Sequence, residues 1–200
     1  MKNFKKFTAF VLALCMLFSL SVAAFAAEVD DHTIYDSVPD EETAISTEAA
    51  TSGTIQNSGI RWSLDEKGWL TISGSGAMND CVFQWGDPDP RPWSAYLSEI
   101  KTVVIGDSIT KIGKESFSSL SCTTVRIGKN VQVIGENAFM NCTSLTGDLV
   151  IPDSVTTIDR WAFFGSVISN GTLTLGKGLR TIGERAFTDC SFSGGLTIPE

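Results

Sequence analysis

The chain has 200 residues, 42% of them hydrophobic and 19% charged, with a formal net charge of −8 and a single histidine. From Arg61 onward acids and bases are nearly balanced, which gives no electrostatic reason to expect nucleic acid as a partner. Its histidine, His32, falls in an acidic stretch, and its five cysteines include no Cys-x-x-Cys pair, so Ser-His-Asp, Cys-His and His/Cys metal sites are all disfavoured.

Residues 1–26 read as a signal peptide. Lys2, Lys5 and Lys6 form a basic start, Phe7 to Val22 an apolar run, and Ala24-Phe25-Ala26 a small-x-small cleavage site. No later run is apolar and long enough to span a bilayer, so membrane contact is expected only through this segment. Residues 27–58 change character. Glu28, Asp30, Asp31, Asp36, Asp40, Glu41, Glu42 and Glu48 carry charge with no Lys or Arg among them. Such a stretch buries too little to offset its ordering entropy and is expected to be a disordered spacer.

Residues 59–100 read as an amino-terminal cap. Ile60, Trp62 and Leu64 alternate, as do Leu70 and Ile72, with Asp65-Glu66-Lys67-Gly68 between them. This predicts a β-hairpin with a four-residue turn, placed to cover the apolar end of the carboxy-terminal half of the chain. Between Asp80 and Tyr96 stand Trp85, Asp87, Asp89, Trp93 and prolines 88, 90 and 92. Two carboxylates beside indoles suit sugar or calcium; the plainer reading is a proline-stiffened loop whose tryptophans pack on the cap.

From residue 101 to 200 one phrase recurs. Ile105, Ile127, Ile151, Leu175 and Ile198 stand 22, 24, 24 and 23 residues apart, each followed by Gly or Pro. Then come Ile109, Val131, Val155 and Leu179; three residues on, Ile112, Ile134, Ile158 and Ile182; and last Phe117, Phe139, Phe163 and Phe187 after a small residue. A period near 23 residues means a solenoid or an array. Each unit offers about six inward apolar side chains, too few to fold alone, and stacking covers the deficit. The expected fold is a solenoid with one continuous parallel β-sheet ladder. Its Gly-x-x-Ala-Phe segments fit short turns or single helical turns. There are four units and the start of a fifth, so the chain reads as a fragment or as one whose uncapped last strand invites self-association.

Leu145-x-x-x-Leu149-x-Ile151-Pro152-x-x-Val155-x-x-Ile158-Asp159-x-x-Ala162-Phe163, with Cys142 and Cys190 three residues past their phenylalanines, resembles the BspA-like leucine-rich repeat family. Trp62-Ser63-Leu64-Asp65 and Gly68 to Met78, then Pro92-Trp93, look like the cap that often precedes such repeats. The resemblance implies a leucine-rich-repeat solenoid of a secreted or cell-surface bacterial protein, Gram-positive, that binds or adheres to an extracellular protein or polysaccharide. No enzyme activity, cofactor or metal is expected in this segment. The rival reading is the accessory region of a larger secreted enzyme whose catalytic domain lies beyond residue 200.

With Val125, Ile127, Leu149, Ile151, Leu173 and Leu175 pointing inward, the strands turn Thr102 and Val104, Thr124 and Arg126, Asp148 and Val150, Thr172 and Thr174 outward. The candidate ligand-binding residues are Thr124, Arg126, Asp148, Val150, Thr172 and Thr174 on that face. Trp161 joins them because equivalent positions hold Glu115, Asn137 and Arg185. It reads either as a binding anchor or as packing over the next coil. Cys142 and Cys190, two repeats apart, stand about 10 Å from each other at roughly 4.8 Å per strand step, too far for a disulfide, and read as small buried hydrophobes. Cys122 with Cys142 is the one pair to check for a disulfide.

Overall fold

The computed structural model describes residues 49–84 and 86–198. The chain divides into Met1–Asp36 and Ser37–Glu200; the first unit lies outside the described residues, as do the signal peptide, His32, most of the acidic spacer and Trp85.

The described chain opens with β1 (Ala49–Thr54), β2 (Arg61–Asp65) and β3 (Trp69–Ser73), each antiparallel to the next. The hairpin β2–β3 is the one expected. Its turn is closed by Asp65, whose Oδ1 accepts the amides of Lys67 and Trp69 at 3.0 and 2.8 Å, and Gly68 supplies the positive φ of 82°. Strand β1 corrects the spacer boundary, since residues 49–54 pair with β2. The sequence hid this because Ala49–Thr54 has no apolar alternation. Gly53 lies flat against the Trp62 ring, where a Cβ would collide with the indole, and Ile55 closes the segment by burial.

Beyond β3 the chain coils. Strand β4 (Gly76–Ala77) completes a first turn of the solenoid. The next coil carries β5 (Thr102–Ile105) and β6 (Ile109–Ile112), and the one after it β7 (Thr124–Arg126) and β8 (Val133–Ile134). Then come β9 (Leu145–Thr146), β10 (Leu149–Val150) and β11 (Thr157–Ile158), and again β12 (Val167–Ser169), β13 (Leu173–Thr174) and β14 (Thr181–Ile182). Strands β15 (Ser191–Phe192) and β16 (Leu196–Thr197) end the series. Corresponding strands pair in parallel: β3-β5-β7 and β10-β13-β16 on one face, β4-β6-β8-β11-β14 on a second, β9-β12-β15 on a third. The cap boundary at residue 100 therefore shifts. Strand β3 pairs in parallel with β5, and Trp93 stands 24 residues before Phe117, in the phenylalanine column. This preliminary coil escaped the repeat pattern because 15 residues, rather than five, separate Met78 from Trp93 where Ile112 leads to Phe117.

Of the two alternatives for the Gly-x-x-Ala-Phe segments, short turns or single helical turns, the structure has turns. Each holds one residue with φ between 55° and 60°, and a second with φ between 57° and 66° follows two residues past the phenylalanine: Glu115 and Ser119, Asn137 and Asn141, Trp161 and Gly165, Arg185 and Asp189. The reversal of φ aims alternate amides along the solenoid axis. Phe117 donates to the Ala138 carbonyl at 2.9 Å, Phe139 to Ala162 at 2.7 Å and Phe163 to Ala186 at 2.9 Å. The amides between them close turns within the coil, as Ala138 does on Gly135 and Ala162 on Asp159. A left-handed residue costs on the order of 1–2 kcal/mol, which the coil-to-coil hydrogen bonds offset.

The core is one continuous apolar cluster with an aromatic column along it. Trp93, Phe117, Phe139, Phe163 and Phe187 stack successively with centroids 5.4, 5.3, 5.2 and 5.3 Å apart and planes within 17°. Trp62 meets Trp93 edge-on at one end, and Phe192 meets Phe187 edge-on at the other. The turns after the first strand keep successive coils close: a Cβ on Gly128 would strike the carbonyl oxygen of Gly106. Toward the last coil the inward column opens, with Ile182 50% and Ile198 68% exposed.

Two columns of alternating charge run along the outside. In the first, Asp80 accepts the Lys114 amide at 2.9 Å, Lys114 Nζ meets Glu136 at 3.2 Å, and Arg160 meets the same carboxylate at 2.5 Å, with Glu184 next. In the second, Lys129 Nζ lies 2.8 Å from Asp107, and the Lys177 amide donates to Asp153 at 2.8 Å. Exposed pairs of this kind contribute little each. They do penalise a slip by one coil, which would bring like charges together.

Two outcomes are expected. Phe139→Ala lowers the unfolding free energy by about 3–5 kcal/mol, and Phe139→Leu costs much less, as read from urea melts. Hydrogen bonds from Arg160, opposed by desolvation and assisted by Lys114, hold the Glu136 carboxyl below its ordinary 4.5. A depressed folded value means the stabilisation is present above pH 4.5 and is lost as pH falls through the lower folded value. Glu136→Gln should therefore flatten the acid limb of the stability curve below that pH.

Candidate functional site

The first face carries the candidate residues, and the strands place six of the seven together. Inward Val125, Leu149 and Leu173 are buried, so their neighbours project outward. Arg126, Asp148 and Val150 are exposed, and Thr124, Thr172 and Thr174 are half-buried. Asp148 Oδ1 accepts both the amide and the hydroxyl of Thr172 at 2.8 Å.

This face is not the single ladder the sequence predicts. It breaks between β7 and β10, because the coil from Ile127 to Ile151 has two more residues than the one before it. The extra length creates β9, which pairs with β12 on the third face. A shallow notch marks the break, lined by Thr123, Val125, Thr146, Gly147 and Asp148, with room for about one water molecule.

Trp161 stands apart, on the turn edge. It holds a left-handed φ of 57°, is half-buried, and lies under the Arg160 guanidinium at 4.6 Å. Its indole nitrogen is buried with no hydrogen-bond partner among the described residues.

Outward Thr102 and Val104 are only 7% and 8% exposed. The cause is a pair of residues that the outward ladder omitted or left unconnected. Trp69, on β3, shares a register row with Thr102 and Thr124, and the Arg126 guanidinium stacks over its ring at 5.2 Å. The two long side chains arch over β5. Trp69 itself stays 38% exposed. The alternation that places Leu70 and Ile72 inward also turns Trp69 outward; in the sequence its strand reads as part of a cap, not of the candidate face.

The loop from Asp80 to Tyr96 is resolved into separate roles. Trp93 is fully buried in the aromatic column. Asp89 is engaged by Arg91, whose Nε donates to both carboxylate oxygens at 3.0 Å and whose other arm donates to the Ser118 carbonyl at 2.7 Å. Burial pushes the Asp89 carboxyl up, yet these hydrogen bonds outweigh it and hold the group below its ordinary value. Among the described residues no three His, Cys, Asp or Glu side chains gather as a metal site would require. The loop's tip leaves Val82 and Phe83 exposed, with Phe83 under the Arg91 guanidinium at 5.0 Å.

Cys142 is buried as expected, while Cys190 is half-buried near the open end. Both do more than fill space. Cys142 Sγ donates to the Phe117 carbonyl at 3.3 Å, and Cys190 Sγ to the Phe163 carbonyl at 2.9 Å. Ser166, at the same place in the intervening coil, donates to Phe139 at 2.6 Å. From Cys142 onward this position supplies a donor in each coil, which explains why Ser and Cys exchange there.

The repeat architecture agrees with a family model. Residues 95–193 match the family model described as BspA type leucine-rich repeat region, in six copies. No curated protein matches the chain. Among solved structures, a leucine-rich repeat protein from Eubacterium ventriosum ATCC 27560 is 27% identical, with a TM-score of 0.49 over 66% of this chain and 40% of its own. A leucine rich cell surface protein from Faecalibacterium prausnitzii A2-165 is 17% identical, with a TM-score of 0.31 over 72% of this chain and 53% of its own. The chain thus spans about half or less of the length of these two proteins. Through its repeat region, residues 95–193, the chain belongs to the BspA-type leucine-rich repeat family.

Proposed function

We propose that this chain is the repeat region of an exported bacterial surface protein that binds an extracellular protein through the outward face of its first sheet. The single observation that carries this reading is the Trp69–Arg126 pair, an exposed indole and guanidinium held together on a rigid parallel sheet. Trp and Arg are the side chains most enriched at the energetic centres of protein interfaces, and a stacked pair has little rotamer freedom left to lose on binding. Around it Ser63 and Thr71 offer hydroxyls in the register row of Arg126, and Thr124 offers one in the row of Trp69. The notch in the face holds about one water molecule, which suits a macromolecule better than a small substrate. Export rests on residues 1–26, which lie outside the described residues, and on the family.

The test displays the chain on bacterial cells and measures adherence to immobilised serum and matrix proteins and to a glycan array. Capture on a protein, reduced ~10-fold or more by Trp69→Ala or Arg126→Ala and unchanged by Arg180→Ala, is the expected result. Capture indifferent to both substitutions would contradict the choice of face, and capture on glycans alone would replace protein by polysaccharide as the partner.

A further inference from the structure

Arg61 on β2 and Arg126 on β7 are exposed on the face proposed above, and among the described residues neither meets a carboxylate. Away from that face six cations are matched: Arg91, Lys111, Lys114, Lys129, Arg160 and Arg185 each hold a carboxylate at 2.5 to 3.7 Å. Of the outward side chains on β2, β3, β5 and β7 the one acid is Asp65, and its Oδ1 accepts the Lys67 and Trp69 amides. Across the break in the sheet, Asp148 turns its Oδ1 to Thr172. The surplus acid of the chain lies elsewhere, with eight acids and no base between Glu28 and Glu48. Stacking on Trp69 uses the flat side of the Arg126 guanidinium and leaves its in-plane N–H fork to take a carboxylate. By strand register Arg61 stands three strands and two residues from Arg126, about 16 Å. Carboxylates four residues apart on one side of an extended segment span roughly 13 Å, within reach of both side chains.

We propose that this face receives an acidic segment of its protein partner, extended, with carboxylates on Arg126 and Arg61 and an apolar or aromatic side chain against Trp69. This holds only if Trp69 and Arg126 mark the binding face, as proposed above. Ser63 and Thr71, in the Arg126 row, carry hydroxyls that donate to a carboxylate as well. Ion pairs at exposed guanidinia steer association and set the sign of the partner more than they add affinity. Discrimination between acidic and basic partners, and loss of capture in salt, are therefore the properties to read. A polyanionic glycan offers the same charge. The Arg126 guanidinium already covers a face of the Trp69 indole, however, which disfavours the stacking that a sugar ring would add.

The experiment immobilises the full chain and measures capture of a random copolymer of glutamate and tyrosine, with a copolymer of lysine and tyrosine and dextran sulfate beside it. The expected result is capture of the glutamate copolymer and not of the lysine copolymer, weakened ~10-fold or more between about 0.05 and about 0.5 M salt. Arg61→Gln with Arg126→Gln should weaken it by a similar factor, and Arg126→Lys alone by less. Lys177→Gln with Arg180→Gln removes two charges from exposed positions off these strands and should change nothing. Equal capture of both copolymers, an equal loss in the Lys177 and Arg180 variant, or capture of dextran sulfate alone overturns the inference. The two readings separate on the partner found in the adhesion experiment. If its capture is lost with Trp69→Ala but moved by neither salt nor the arginine changes, the face stands and the acidic partner is overturned. Copolymer capture that survives Trp69→Ala and both arginine changes overturns the face and the inference together.

Discussion

The structure depends on one constraint, that each coil must lay its aromatic ring flat on the ring of the coil before it. A rise of 5.2 to 5.4 Å between ring centroids matches the step between hydrogen-bonded parallel strands closely enough for both to be satisfied together. The strands are only two to five residues long from β3 onward, far below what an isolated sheet needs. Their stability is borrowed from the stack. The left-handed residues beside the phenylalanines serve the same end, because they turn the Phe117, Phe139 and Phe163 amides toward the neighbouring coil. Ring, amide and thiol or hydroxyl donor all act within one seven-residue segment, so this corner of the coil is where the fold is specified.

Repetition brings a hazard, since units so alike could pair one coil out of register. The alternating columns through Asp80, Lys114, Glu136 and Arg160, and through Asp107, Lys129, Asp153 and Lys177, oppose such a slip. So does the change of coil length between Ile105–Ile127 and Ile127–Ile151, which makes the units distinguishable. That same change splits the first sheet. The candidate binding face thus has a rigid half, β2 to β7, bearing Trp69 and Arg126, and a second half, β10 to β16, dominated by threonines.

Most of the fold was legible in the sequence, because the inward positions recur and burial tracks them: Ile109, Val131 and Val155, and Phe117, Phe139 and Phe163, are all buried. What was not legible has a physical reason in each case. Strand β1, Ala-Ala-Thr-Ser-Gly-Thr, has no large apolar residue and is held by its partner, so periodicity has nothing to detect. The preliminary coil is interrupted by the long loop after Met78, which hid Trp93 from the phenylalanine column. The turns were open to a helical reading because Glu115, Trp161 and Arg185 are not residues that announce a left-handed backbone, unlike Asn137. On the candidate face, alternation gives the outward orientation of Thr124, Arg126, Asp148, Val150, Thr172 and Thr174, which are exposed or half-buried. The interaction between Trp69 and Arg126 spans two strand steps and requires the parallel register of β3 on β5, which alternation within either strand does not reveal.

The solenoid begins at β3, and one aromatic column makes the hairpin coil and the repeat coils a single cooperative body. Amide hydrogen exchange under native conditions tests this most directly. The account predicts that the Leu70 and Ile72 amides exchange at the same slow rate as those of Phe117 and Phe139, all through global unfolding. Exchange of the β3 amides orders of magnitude faster than that of Phe139 would contradict it, and would make the hairpin a separate cap resting on an independent stack.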